Sequence, residues 1–205
     1  MPRRRRARRV VRGPHGLTLY VRGTLPSGGV AIIGSRTPPP DAEDFAYKLA
    51  FALGEPVIAG LAPGIDAAAH RGALAAGTPT VAFTGYGFGR TDPPEYAELE
   101  RRIVAAGGAV ATLLPPGTAG SAEARIERDR LQAEHADAIV LVCTELDGGA
   151  MHTMRFAREM GKPRFAVTPP AGATRPEWEG NRRCIAEGAV PLPFDPAAAR
   201  AILSR

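Results

Sequence analysis

Apolar residues in this chain fall into short runs separated by stretches with helical spacing, the alternation that a parallel sheet covered on both faces requires. Residues 17–22 alternate in polarity and predict an edge strand. The continuous runs at 30–33, 56–59, 80–83, 109–113, 138–143 and 164–167 predict buried strands. Between them, Pro38-Pro39-Pro40 and Asp41 open a helix that stops near Gly54. Further helices are predicted over 64–76, 95–106 and 121–135. Another begins at Asp147-Gly148-Gly149 and ends at Gly161, and short ones follow at 179–187 and 196–203. Residues 85–94 form a glycine-rich loop, and no internal repeat is visible. Right-handed crossovers then give an α/β fold, a Rossmann-like, doubly wound, mostly parallel sheet with helices on both faces.

At 205 residues the chain is expected to form one extended domain over 14–205, preceded by a basic disordered arm over 1–13. Arg3, Arg4, Arg5, Arg6, Arg8, Arg9 and Arg12 carry more than the entire net charge of +5, so the remainder is mildly acidic. Such an arm either grips phosphates or merely solubilises the chain. No apolar run is long enough to cross a bilayer, and the arginines lead into Val10-Val11-Arg12-Gly13-Pro14 rather than a signal-peptide core. A cytoplasmic protein without membrane contact is expected. Cys143 and Cys184 lack partners at disulfide-framework or metal-ligand spacing, so no metal site or cofactor is predicted.

Ligands of such sheets bind beyond the carboxyl ends of the strands, and three turns there are rich in glycine. Gly34-Ser35-Arg36 offers close backbone approach, a hydroxyl and a guanidinium. Gly60 and Gly64 stand at the mouth of a second helix, and Gly149 with Thr153 repeats the arrangement in a third. Each turn alone is explained by tight chain reversal; together they suggest a phosphate-rich ligand. Neither a G-x-G-x-x-G at the first turn nor a P-loop motif is present, which argues against ordinary dinucleotide or nucleoside-triphosphate binding. Asp66 and His70, four apart on one helix, form either a stabilising or ligand-orienting pair or part of a proton-transfer set. No nucleophile completes the latter, so no catalytic residue is assigned. Arg125, Arg128 and Arg130, interleaved with Glu127 and Asp129, are either a solvated face or a phosphate track.

In order, Leu19-Tyr20-Val21-Arg22-Gly23, Val30-Ala31-Ile32-Ile33-Gly34-Ser35-Arg36, Gly60-Leu61-Ala62, Gly64-Ile65-Asp66-Ala67-Ala68-Ala69-His70 and Ala73-Leu74 resemble the DprA/Smf family of DNA-processing proteins. Arg128-Asp129-Arg130 resembles its arginine-asparagine-arginine element. Gly149, Thr153 and Ala157, then Gly180-Asn181 with Ile185, Gly188 and Ala189, fit its later motifs. The resemblance implies an extended Rossmann fold that dimerises, binds single-stranded DNA and helps load RecA recombinase. It makes Ser35, Arg36, Arg128 and Arg130 the expected phosphate contacts, supported by Gly34, Gly60, Gly64, Gly149 and the Thr153 hydroxyl.

The chain departs from the family pattern at several positions. Ala59 stands where the family has serine, Pro63 where it has arginine, and Asp129 where it has asparagine. Arg125-Ile126 replaces a phenylalanine-proline pair, and Gly148, Ala150 and His152 replace serines and an isoleucine. The alternative is a nucleotide-binding sensor related to the LOG phosphoribohydrolases but without hydrolase activity. Phe156 occupies the position where that group carries its glutamate.

Overall fold

The computed structural model describes residues 8–12, 16–173 and 176–204. The chain opens with β1 (Arg8–Arg12), β2 (Thr18–Gly23) and β3 (Val30–Ile33). It continues through α1 (Pro40–Leu53), β4 (Val57–Ala59), α2 (Ile65–Ala75), β5 (Thr80–Phe83), α3 (Ala97–Ala105) and β6 (Ala109–Thr112). The second half runs α4 (Ala122–His135), β7 (Ala138–Leu141), α5 (Ala150–Glu159), β8 (Arg164–Val167), α6 (Glu179–Ala186), β9 (Val190–Leu192) and α7 (Pro196–Leu203).

Among the described residues nine strands form one sheet, ordered β1-β2-β6-β5-β4-β3-β7-β8-β9. From β6 to β9 every pairing is parallel; β2 runs antiparallel to β6, and β1 antiparallel to β2. The chain winds outward from β3 to β4, β5 and β6, then crosses back through α4 and winds the other way. The switch point therefore lies between β3 and β7, which pair from Val30 with Ala138 to Ile33 with Leu141. This is the Rossmann-like doubly wound sheet that the apolar pattern predicts.

Because side chains alternate along each strand, the sheet has two cores. Val30, Ile32, Val57, Val140 and Val167 face α1, α2 and α7, with Ala82 and Val110 under α3 on the same side. Ala31, Ile33, Ile58, Ile139 and Leu141 face α4, α5 and α6. Ile32, Ile139 and Leu141 are fully buried, each contributing on the order of 1.5–3 kcal/mol. Where β7 and β8 separate, the buried Asn181 joins them. Its amide nitrogen donates to the carbonyls of Val142 and Val167 at 2.8 Å each, and its oxygen accepts from the Thr144 amide at 3.1 Å.

Two strands lie outside the sequence expectation. Arg8–Arg12, predicted within a disordered arm, pairs over its whole length with β2, and Val11 packs on the core. Backbone pairing needs no apolar alternation at an edge, so its arginine-rich composition conceals it. Residues 1–7 and 13 of that arm lie outside the described residues. At the opposite edge, β9 contains Pro191, which an edge strand tolerates.

Candidate nucleic-acid interface

Beyond the carboxyl ends of β3 and β7, a cleft of about 410 Å³ opens at the switch point. Its walls are the β3–α1 turn, the β7–α5 loop and one face of α4. Of the residues predicted to hold phosphate, it brings together Gly34, Ser35, Arg36, Arg128, Gly149 and Thr153. Gly60, Gly64 and Arg130 are not in its lining.

The first turn is built for close passage. A side chain at Gly34 would lie 2.7 Å from both the Cys143 carbonyl oxygen and Ile65 Cγ1. The Ser35 amide donates to that same carbonyl at 2.7 Å, tying the ends of β3 and β7 together. Ser35 Oγ accepts from the Thr37 amide at 3.1 Å, which leaves its own proton available to a ligand. Arg36 is exposed at the mouth and makes no ion pair among the described residues.

The second turn works differently from the expectation. Gly60 is buried under Arg128, whose guanidinium carbon would stand 2.6 Å from any side chain added there. Gly64, at φ 74°, packs against Pro38 and the Ser35 carbonyl and so docks the second turn on the first. Both glycines position the arginine and the turns rather than face the cleft. Asp66 and His70 do not hydrogen-bond to each other. Asp66 Oδ2 accepts from the Ala62 amide and meets Arg128 Nη1, both at 3.4 Å. His70 is fully buried, with Nε2 2.6 Å from the Gly60 carbonyl oxygen. A carbonyl only accepts, so Nε2 carries the proton, and Nδ1 faces the Thr80 hydroxyl at 2.7 Å. Burial drives the His70 pKa down to about 4, keeping the ring neutral.

Arg128 is thus gripped from two sides, by Asp66 and by Asp129 Oδ1 at 3.3 Å from Nε. Burial raises both carboxyls despite the arginine. Asp129 reaches about 6, with the Asp66 charge adding to the effect of burial.

On the third turn, a side chain at Gly149 would meet nothing within 4 Å, and no side chain caps the N-terminus of α5. Thr153 is buried, and its hydroxyl donates to Gln132 Oε1 at 3.4 Å. Arg125 also lines the cleft, and its ion-pair partner among the described residues is Asp92 at 4.0 Å. Together with Arg36 and Arg128 it forms the wall shared with a second cavity of about 190 Å³ beside Leu61, Pro63 and Tyr86. Arg130 faces elsewhere, paired with Glu134 at 3.1 Å and 5.8 Å from the Phe156 ring centroid. Residues two apart on a helix point to different sides, which is why Arg128 and Arg130 do not act as a pair. Gln132 has no place in the predicted site, and Arg125 is read there only with Arg128 and Arg130 as a solvated face or phosphate track, not among the expected contacts. The signal for both was helical spacing, since 125, 128, 129 and 132 share one face of α4.

Cys143 and Cys184 are free and buried, their thiols pushed up to about 12 and about 11 by desolvation, so neither is a ready nucleophile. Among the described residues no helix is long and apolar enough to cross a membrane.

Residues 7–198 match the family model of DNA recombination-mediator protein A. A DprA-type DNA processing protein of Mycobacterium tuberculosis is 38% identical over 143 residues, covering 68% of this chain and 36% of that protein. The chain therefore spans about a third of the length of that relative. DNA processing protein A from Streptococcus pneumoniae superposes with a TM-score of 0.82 at 25% identity, covering 92% of this chain and 66% of that one. DNA processing protein A from Helicobacter pylori, which binds single-stranded DNA, gives 0.79 at 22%, covering 91% of this chain and 86% of that one. With the doubly wound sheet and its switch-point cleft, this match over nearly the whole chain establishes that the protein belongs to the DprA/Smf family of DNA-processing recombination mediators.

Proposed function

We propose that this chain binds single-stranded DNA in the switch-point cleft and acts without catalysing a reaction. The observation that carries the reading is the convergence of Arg36, Arg125 and Arg128 on one cleft, with Arg36 exposed at the mouth. A guanidinium forks onto phosphate oxygens, and the Ser35 hydroxyl, the Gly34 and Gly149 backbone and the Thr153 hydroxyl line the same space. The charge of Arg128 is more than offset by its two carboxylates when both are ionised, so Arg36 and Arg125 carry most of the attraction, while Arg128 fixes geometry. Gly60 and Gly64 support the site from behind. Arg130 contributes only to the general field. Phosphate contacts carry no base information, so binding through them is sequence-tolerant.

The family membership supports the accompanying proposals that the protein works in the cytoplasm as a homodimer alongside RecA recombinase. A competition experiment tests the binding reading. A labelled single-stranded oligonucleotide is bound at low salt and challenged with free mononucleotide. The reading predicts that mononucleotide displaces the strand only at large excess; equal affinity for the two favours a small-nucleotide sensor instead.

A further inference from the structure

Two cavities share the arginine wall, and only the first belongs to the switch point. The second, of about 190 Å³, opens beyond the carboxyl ends of β4 and β5. The segment after β4 supplies Leu61 and Pro63, that after β5 supplies Thr84 and Tyr86, and Pro93 closes the space from the 84–94 loop. Arg36, Arg125 and Arg128 line both cavities, so a phosphate held by these guanidiniums stands at the boundary between them.

Away from that wall the second cavity offers a ligand little but apolar surface. The Thr84 hydroxyl donates to the Tyr86 carbonyl at 3.0 Å, and the Tyr86 hydroxyl donates to Glu100 Oε1 at 2.8 Å. Both protons are therefore committed within the protein. Leu61 and Tyr86, otherwise buried, contribute aliphatic and ring surface beside the two prolines. The Asp92 carboxylate also lines the space, 4.0 Å from Arg125. A second phosphate there meets a negative charge and a surface that cannot solvate it.

We infer that this second cavity is a stacking recess for a nucleobase flanking the phosphate on the arginine wall, one that takes the base by its flat face and does not read its edge. A base is planar and uncharged, and it is tied to that phosphate through a single sugar. Its contact with ring and aliphatic surface tolerates any sequence, because every base has a π-face. The inference rests on the strand's phosphates lying at the arginine wall and assigns an occupant to a space away from the β3–β7 junction.

The test uses the full chain and two probes of equal length, an oligothymidylate and the same phosphodiester backbone without bases. Leu61 and Pro63 line the second cavity and not the first, so filling the recess from either leaves the switch-point lining in place. Leu61→Trp is expected to bind the abasic strand as wild type does and the oligothymidylate about tenfold more weakly, the weight of one stacked base. Pro63→Phe fills the recess from its rim, is expected to act in the same direction, and carries the test if Leu61→Trp does not fold. An oligocytidylate is expected to show the same loss, and a loss confined to one base overturns the stacking mode. Unchanged oligothymidylate affinity in both variants, an equal loss for the two strands, or a wild type that does not distinguish them overturns the inference. Failure of wild type to bind either strand overturns the single-stranded DNA reading itself, a different result from equal binding of the two.

Discussion

Gly60 and Arg128 share one space: the absence of a side chain at the end of β4 is what lets the guanidinium of α4 lie across it and reach Asp66. A glycine that sequence reasoning assigns to a ligand is therefore a seat for the protein's own arginine. Gly60→Ala forces Arg128 away and is expected to destabilise the fold by about 1–3 kcal/mol, the usual cost of overpacking, and to weaken DNA binding with it. Thermal unfolding and titration of the same sample measure both effects, and a variant with wild-type melting and wild-type affinity contradicts the assignment.

Gly34 and Gly149 respond to alanine in opposite ways. Gly34→Ala drives a methyl into the Cys143 carbonyl and Ile65, so it lowers melting temperature as well as affinity. Gly149→Ala meets no protein atom within 4 Å at a position with helical dihedrals (φ −55°, ψ −32°), so the fold is kept or slightly stabilised. Its methyl borders the ligand's space, and affinity falls by about tenfold. Equal melting losses in the two variants contradict this division of roles.

Asp129, beside Arg128 on the wall of the cleft, makes the site sensitive to pH. Its carboxyl is raised from 3.8 to about 6, so the folded chain holds that proton more tightly than the unfolded chain. Ionisation therefore costs stability progressively as pH rises from about 4 to about 6. Asp129→Asn is expected to raise stability on the order of 1–2 kcal/mol near pH 7.5, with the gain vanishing toward pH 4. Because it removes a negative charge beside Arg128, it also tightens DNA binding at neutral pH and has little effect near pH 5. Melting and titration across that range check both signs.

His70 acts with the reverse sign. Its pKa falls from 6.5 to about 4, so the unfolded chain takes up the proton first and the stability contributed by the neutral ring is lost as pH falls from about 6.5 to about 4. His70→Ala leaves a buried cavity and the Gly60 carbonyl without its partner, while the Thr80 hydroxyl keeps the Val57 carbonyl, and is expected to cost about 2–4 kcal/mol at neutral pH. The deficit narrows in acid, and a deficit independent of pH contradicts the neutral-ring assignment.

The central strands and their helices were legible because a parallel sheet buries both faces and writes continuous apolar runs, as in Ala31-Ile32-Ile33 and Ile139-Val140-Leu141. The edges were not. β1 is an arginine-rich pairing of backbone with backbone, and β9 is three residues with a central proline. At the site, the turns could be located from glycine and strand ends, but not what each glycine admits. Whether Gly60 faces a ligand or an arginine depends on Arg128, far along the chain. Likewise Asp66 and His70 share helical spacing, yet each has a better partner outside α2.

The central claim, that the folded cleft holds the phosphates of single-stranded DNA, is tested most directly by titrating a labelled single strand with the full chain and with Arg36→Ala across a range of salt. Arg36 is exposed and makes no ion pair among the described residues, so its loss reports chiefly on the ligand, and the melting temperature of the variant checks that the fold is kept. The account predicts salt-dependent binding by wild type, weakened in Arg36→Ala by about tenfold at low salt, with a salt slope smaller by about one. Equal affinity and equal slope for the two proteins, or no binding at low salt, contradict it.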